Sequence, residues 1–116
     1  MERQPYVTFY NEHGANLTSR YYKDVSAFWQ ARAYLFFSLG IVPTFLEGKR
    51  ILEFGPGTGE NAGFTDSLKP SRYVLVDGSR EILEACSERL ESSGPPQVER
   101  EFHCCLFDQF QLLTLI

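Results

Sequence analysis

The sequence predicts an α/β fold in which a parallel sheet is covered by helices. Residues 50–54 and 73–76 are short apolar runs typical of buried parallel strands, and each is followed by a turn and a helical pattern. A third strand-like segment, residues 98–106, follows the second helical pattern. The order strand, helix, strand, helix, strand implies right-handed crossovers and a sheet with strand order 3-2-1.

The bulk composition indicates one folded domain, residues 1–116, because 43% of the residues are hydrophobic and can form a core. The net charge of -4 comes without a Lys/Arg cluster, so we expect no nucleic-acid partner. There is neither an apolar run of about 18 residues nor a signal-like start, so we expect a soluble, unexported chain without a membrane partner. The odd count of three cysteines favours a reducing, cytoplasmic location.

The N-terminal part is predicted to form a helical cap, at about residues 20–47. Apolar and aromatic side chains recur at helical spacing over residues 21–39, which indicates an amphipathic helix with an aromatic face. Gly40 and Pro43 end this helix. A short helical turn is expected at Phe45 and Leu46, before the first strand.

Residues 49–116 are predicted to hold the sheet and its crossover helices. Residues 60–68 form a short first crossover helix, and Ser79 is a suitable N-cap for the second. Residues 98–106 alternate between apolar and polar side chains. This alternation predicts a half-exposed strand at the edge of the sheet.

A glycine-rich turn after the first strand is the strongest functional signal. Gly55, Gly57 and Gly59 let the backbone turn sharply and approach a ligand with no side chain between them. The following helix N-terminus offers N–H groups and a partial positive charge to an anionic group. Asp77, at the end of the second strand, is suited to accept hydrogen bonds from both hydroxyls of a ribose. Together these features predict a nucleoside-containing cofactor.

Two such cofactors fit the pattern. Residues 57–62, GTGENA, also match the G-x-G-x-x-A form of dinucleotide-binding proteins, so an NAD-dependent oxidoreductase is one interpretation. The carboxylate of Glu53, just before the turn, would repel a pyrophosphate but attract a ligand that carries an ammonium and a sulfonium. This charge pattern favours S-adenosyl-L-methionine, and NAD ranks last.

Residues 53–59, EFGPGTG, resemble the first motif of the class I S-adenosylmethionine-dependent methyltransferases, acidic-x-Gly-x-Gly-x-Gly. Residues 73–79 and 106–110 are similar to that family's second strand and to its segment after strand three. The resemblance implies a three-layer Rossmann-like fold and an enzyme that methylates a small-molecule substrate. It also implies cofactor contacts by Glu53, Gly55, Gly57 and Gly59 to the methionine part, by Asp77, Gly78 and Ser79 at the ribose, by Asp108 and Gln109 at the adenine, and by Tyr21 or Tyr22 as a cap.

The resemblance covers only the N-terminal half of that family's fold, so the fold is predicted to be truncated. With strand order 3-2-1 the first strand is an open apolar edge, which natural proteins avoid. We therefore expect residues 112–116 to pair there as a fourth short strand, or a second subunit to do so in a homo-oligomer. A third alternative is that the chain is part of a longer protein. A non-catalytic assembly module that pairs through this edge is the alternative to the enzyme.

No metal site and no catalytic side chain are predicted. His103, Cys104 and Cys105 are adjacent, but alternate side chains of a strand point to opposite faces, and there is no second ligand pair. Methyl transfer from a sulfonium needs mainly alignment of the acceptor and exclusion of water. A nucleophilic side chain is therefore not required.

Overall fold

The computed structural model describes residues 25–111, which form three helices and three strands. The helices are α1, Val25–Ser38; α2, Glu60–Ser67; and α3, Arg80–Ser93. The strands are β1, Arg50–Phe54; β2, Arg72–Asp77; and β3, Glu99–Cys104. Two short 3-10 helices, Pro43–Leu46 and Phe107–Gln109, follow α1 and β3.

α1 ends where Gly40 adopts a left-handed backbone conformation. Gly40 has a φ of +74°, and its N–H donates to the carbonyl of Phe37 at 3.0 Å. The N–H of Ile41 donates to the carbonyl of Phe36 at 2.8 Å, which completes a Schellman motif. No helix among residues 25–111 is both long and apolar enough to cross a membrane. The predicted start of this helix, including Tyr21 and Tyr22, lies outside the described residues.

The three strands form a parallel sheet in the order β1-β2-β3, so the predicted order 3-2-1 is confirmed. β2 is the central strand, and residues 73–76 are at most 3% exposed. β3 is half-exposed at one edge, as predicted, but it ends at Cys104 because residues 107–109 turn into a 3-10 helix. The predicted fourth strand, residues 112–116, lies outside the described part of the chain.

The three described helices lie on the same side of the sheet. Tyr73 and Leu75 of β2 pack with side chains of both crossover helices, in a core that also contains Ala62, Cys86, Leu90 and Val98. α1 packs against α2 rather than on the opposite face. Two successive right-handed crossovers in one direction place α2 and α3 on one face, and α1 joins them there through its packing on α2. A three-layer fold would also need a layer of helices on the opposite face of the sheet, and this layer stays a prediction.

A buried ion pair ties α2 to β3. Arg100 donates from Nε and Nη2 to the two carboxylate oxygens of Asp66, both at 2.8 Å, and the side chains are 6% and 0% exposed. Nη2 of Arg100 also donates to the carbonyl of Pro95 at 2.7 Å, which holds the loop between α3 and β3. Breaking such a pair by removing one partner typically costs about 3–5 kcal/mol.

Gly94→Ala is expected to destabilise the fold, because the new Cβ would lie 2.0 Å from Oδ2 of Asp66 and 2.4 Å from Nη2 of Arg100. We expect the free energy of unfolding, measured with urea, to fall by about 3 kcal/mol or more as the ion pair is displaced. Gly63→Ala is the matched control, since its Cβ meets Trp29 only at 3.4 Å and alanine favours the helix by up to about 1 kcal/mol. Equal losses in both variants would contradict the role of the ion pair.

Candidate functional site

The glycine-rich turn adopts backbone conformations that explain its composition. Gly55, Gly57 and Gly59 have φ values of +70°, +63° and +97°, a region that other residues rarely occupy. The N–H of Gly55 donates to the carbonyl of Val76 at 2.8 Å, so the turn starts from a fixed position on β2. A Cβ at Gly59 would lie 3.2 Å from Cα of Cys86, so this glycine also lets α3 approach the turn closely.

Asp77 lies beside this turn, at the end of β2. Its Oδ1 accepts a hydrogen bond from the N–H of Ser79 at 2.9 Å. Burial raises the pKa of Asp77, and hydrogen bonds from the backbone N–H groups of Ser79, Gly57 and Gly78 oppose that rise. The bond from Gly57 joins the acid to the glycine turn. The two signals that the sequence placed 18 residues apart are therefore neighbours in the fold.

The rim beside Asp77 is formed by the start of α3. Ser79 caps this helix as predicted: its hydroxyl accepts the N–H of Ile82 at 3.4 Å, and the residue is 2% exposed. Gly78 is partly buried between Asp77 and this cap. The N–H of Cys105 donates to the carbonyl of Asp77 at 3.1 Å, so the end of β3 is fixed to the same position.

The carboxylate of Glu53 accepts hydrogen bonds from two residues that the sequence did not indicate as part of the site. Arg32 of α1 donates from Nη1 and Nη2 to the two carboxylate oxygens, at 3.1 and 3.2 Å. The hydroxyl of Tyr73 donates to Oε1 at 2.5 Å. Arg32 was one polar residue in the helical pattern and Tyr73 one aromatic residue in a strand, so neither carried a separate signal.

This cluster is largely removed from solvent, since the side chains of Arg32 and Glu53 are 17% and 16% exposed. Burial works against the charged form of Arg32, but the hydrogen bonds and charge of Glu53 outweigh it, and the pKa of Arg32 is raised. Burial, with the neighbouring charge of Glu53, also raises the pKa of Tyr73 far above its usual value. Arg32 therefore compensates the charge of Glu53 next to the turn.

Aromatic side chains from β1 and from the segment after β3 lie next to the glycine turn. The ring of Phe107 is 5.1 Å from that of Phe54, centre to centre, and its Cζ is 3.5 Å from the Cβ position of Gly55. Asp108 and Gln109 share the 3-10 helix with Phe107, and both are exposed. The structure thus brings this segment next to the glycine turn. Tyr21, the predicted cap, lies outside the described residues.

The residues present fit a nucleoside ligand. The three glycines keep the turn free of side chains at their positions, the ring of Phe107 packs beside Gly55, and the carboxylate of Asp77 can accept from ribose hydroxyls at the same edge of the sheet. Among residues 25–111, no group of three His, Cys, Asp or Glu side chains could hold a metal ion. His103 instead contacts Glu101, with 3.3 Å between Nε2 and Oε2.

Comparison with protein-family models, curated proteins and solved structures finds no match to this chain. The fold and the site define it as an α/β protein with a parallel sheet and a glycine-rich turn between a strand and a helix. The particular activity is therefore inferred from the residues themselves.

Tyr73→Phe is expected to reduce the loss of stability at alkaline pH. Because the folded-state pKa of Tyr73 is raised, its stabilising contribution is complete below the unfolded value of about 10 and declines as the pH rises beyond it. Above pH 10 the free energy of unfolding should fall less steeply with pH in the variant than in the unaltered chain. The difference between the two slopes should be about 1.4 kcal/mol per pH unit. Urea unfolding between pH 8 and 11 measures this, and Tyr34→Phe, at a residue 73% exposed, is the control. Identical slopes in both variants would contradict the proposed protonation of Tyr73.

Proposed function

We propose that this chain binds S-adenosyl-L-methionine and belongs to a methyltransferase that acts on a small molecule. The fold would be Rossmann-like, like that of the class I methyltransferases. The cytoplasm is part of the proposal, because Cys86, Cys104 and Cys105 are all free thiols.

The observation that carries the proposal is the position of Asp77 beside the Gly55–Gly59 turn. The turn and the acid meet at the carboxyl end of neighbouring parallel strands, where α/β proteins commonly bind nucleotides. A ribose at this edge would give Asp77 two hydroxyl donors. Gly78 and Ser79 would border that ribose.

The resemblance of residues 53–59 to the class I motif selects the methyl donor. The charge of Glu53 contributes less to this choice than the sequence suggested, because Arg32 contacts both of its carboxylate oxygens. A pyrophosphate would be repelled less by such a pair than by a lone carboxylate. NADH is therefore included as a competitor in the test below.

The proposed roles follow from these positions. Gly55, Gly57 and Gly59, with Glu53, would hold the methionine part, and Asp108 with Gln109 would contact the adenine. When bound, the cofactor supplies an electrophilic methyl group on a sulfonium. The contribution of the protein is to align the acceptor and to exclude water, and the aromatic rings of Phe54 and Phe107 are suited to the second task.

Asp77→Asn is expected to weaken binding of S-adenosyl-L-methionine and of its demethylated product at least tenfold, because the amide accepts fewer hydrogen bonds from a ribose. It should not lower the free energy of unfolding at pH 7. With a raised folded-state pKa, the contribution of Asp77 is complete below its unfolded pKa and is lost as the pH rises through the folded value. Calorimetry and urea unfolding measure the two effects.

Glu84→Gln, an exposed acid on α3, is the matched control and should bind both ligands like the unaltered chain. The proposal is rejected if the unaltered chain binds neither ligand, or if Asp77→Asn binds both with unchanged affinity. Tight binding of NADH, followed by its fluorescence, would favour the oxidoreductase instead.

A second candidate function is an assembly module that pairs through the edge of β1. Within residues 25–111, β1 pairs only with β2. Because the N–H of Gly55 bonds to β2, the alternation of a strand directs the N–H groups of Leu52 and Phe54 to the open edge. Phe45, in the 3-10 helix before β1, and Phe54, at the end of β1, are 63% and 43% exposed, which adds apolar surface.

Sedimentation velocity over a range of protein concentrations tests this candidate. An assembly module is expected to sediment as a dimer or larger species, because the open edge and the exposed aromatic side chains would be buried by a second copy. A strict monomer at every concentration would exclude homo-oligomerisation through this edge.

A further inference from the structure

We propose that Arg32 determines the charge preference of the cofactor site by compensating Glu53. The ligand would then meet an ion pair of nearly zero net charge instead of a lone carboxylate. This inference rests on the proposed function, because it concerns how the same site distinguishes a positively charged sulfonium from a neutral thioether.

The geometry makes the compensation strong. Nη1 of Arg32 donates to Oε1 of Glu53 and Nη2 donates to Oε2, an arrangement that combines two charge-assisted hydrogen bonds. Nη1 also donates to Oγ1 of Thr65 on α2 at 3.3 Å. Three contacts on two elements fix the guanidinium, so its charge stays next to Glu53.

The packing of α1 holds Arg32 in this position. Trp29 donates from Nε1 to the carbonyl of Glu60 at 3.1 Å, and its ring lies 5.9 Å from that of Phe64. The ring of Phe36, one turn beyond Arg32, lies 6.0 Å from the ring of Phe64, centre to centre. Both contacts are made with α2, the helix that follows the glycine turn. The compensating charge therefore comes from the N-terminal helix and not from the sheet.

Tyr73 makes it possible to test the effect of charge on this cluster separately from the effect of hydrogen bonding. Its hydroxyl donates to the same carboxylate, but it is neutral, since burial and the charge of Glu53 keep it protonated. Loss of the hydroxyl changes the hydrogen bonding of Glu53 without a change in net charge. Loss of Arg32 changes the net charge by one unit. The two substitutions thus distinguish electrostatic compensation from mechanical support.

The experiment is a charge series read out with two ligands, S-adenosyl-L-methionine and S-adenosyl-L-homocysteine. These ligands differ only in the methyl group and the positive charge at sulfur. Calorimetry at pH 8 and low salt gives both dissociation constants for the unaltered chain, Arg32→Gln, Glu53→Gln and the double variant. The measured quantity is the dissociation constant of the thioether divided by that of the sulfonium.

We expect this ratio to follow the local charge. Arg32→Gln leaves Glu53 uncompensated and should raise the ratio about three- to tenfold, whereas Glu53→Gln leaves Arg32 uncompensated and should lower it by a similar factor. The double variant restores neutrality and should return the ratio to within about twofold of the unaltered chain. Because the two single changes act in opposite directions, the test does not depend on the folding of either one alone.

Two controls complete the series. Arg72→Gln removes an arginine at the opposite end of β2, where it pairs with Glu101, and should leave the ratio unchanged. Tyr73→Phe should change both dissociation constants by the same factor. If the unaltered chain binds both ligands but the ratio is constant across the series, Arg32 only anchors α1 and the inference is wrong. If the unaltered chain binds neither ligand, the proposed function itself fails.

Discussion

The parallel pairing of β1 with β2 is the constraint on which the site depends. Its register aligns Phe54 with Val76, and the N–H of Gly55 extends the ladder by donating to the carbonyl of Val76. The glycine turn therefore leaves β1 at the level where β2 reaches Asp77. A slip of one residue would move Glu53 to the other face of the sheet and separate it from Tyr73.

Buried charges connect the helices to this sheet. The pair of Asp66 with Arg100 joins α2 to β3, and the pair of Arg32 with Glu53 joins α1 to β1. Desolvation makes such pairs weak contributors to net stability, but an unpaired member is costly, so each pair strongly favours one arrangement of its elements. In a sheet of three strands, these contacts determine where the helices lie relative to the turn.

The sequence predicted the elements whose causes are local. Apolar runs, the glycine turn and the Ser79 cap each depend on a few adjacent residues, and β1 was placed to the residue. The pairing of Arg32 with Glu53 spans 21 residues, and that of Asp66 with Arg100 spans 34. No local pattern specifies such contacts, because any exposed helix carries similar charged residues. The shared face of α2 and α3 likewise follows from the crossovers and not from the composition of one helix.

If the proposed site binds a cofactor, the compensation of Glu53 by Arg32 would change which property of the ligand is recognised. A lone carboxylate beside the turn would select mainly by charge, and it would favour any cation of suitable size. Because Glu53 is paired with Arg32, the two side chains together would produce only a weak electrostatic field at the ligand. Recognition would then depend more on hydrogen bonds to Asp77 and on the shape of the turn. Because Arg32 belongs to α1, the proposed compensation would let this helix influence which ligand the site binds. In this proposal, α1 and the nucleoside site would act as one electrostatic unit.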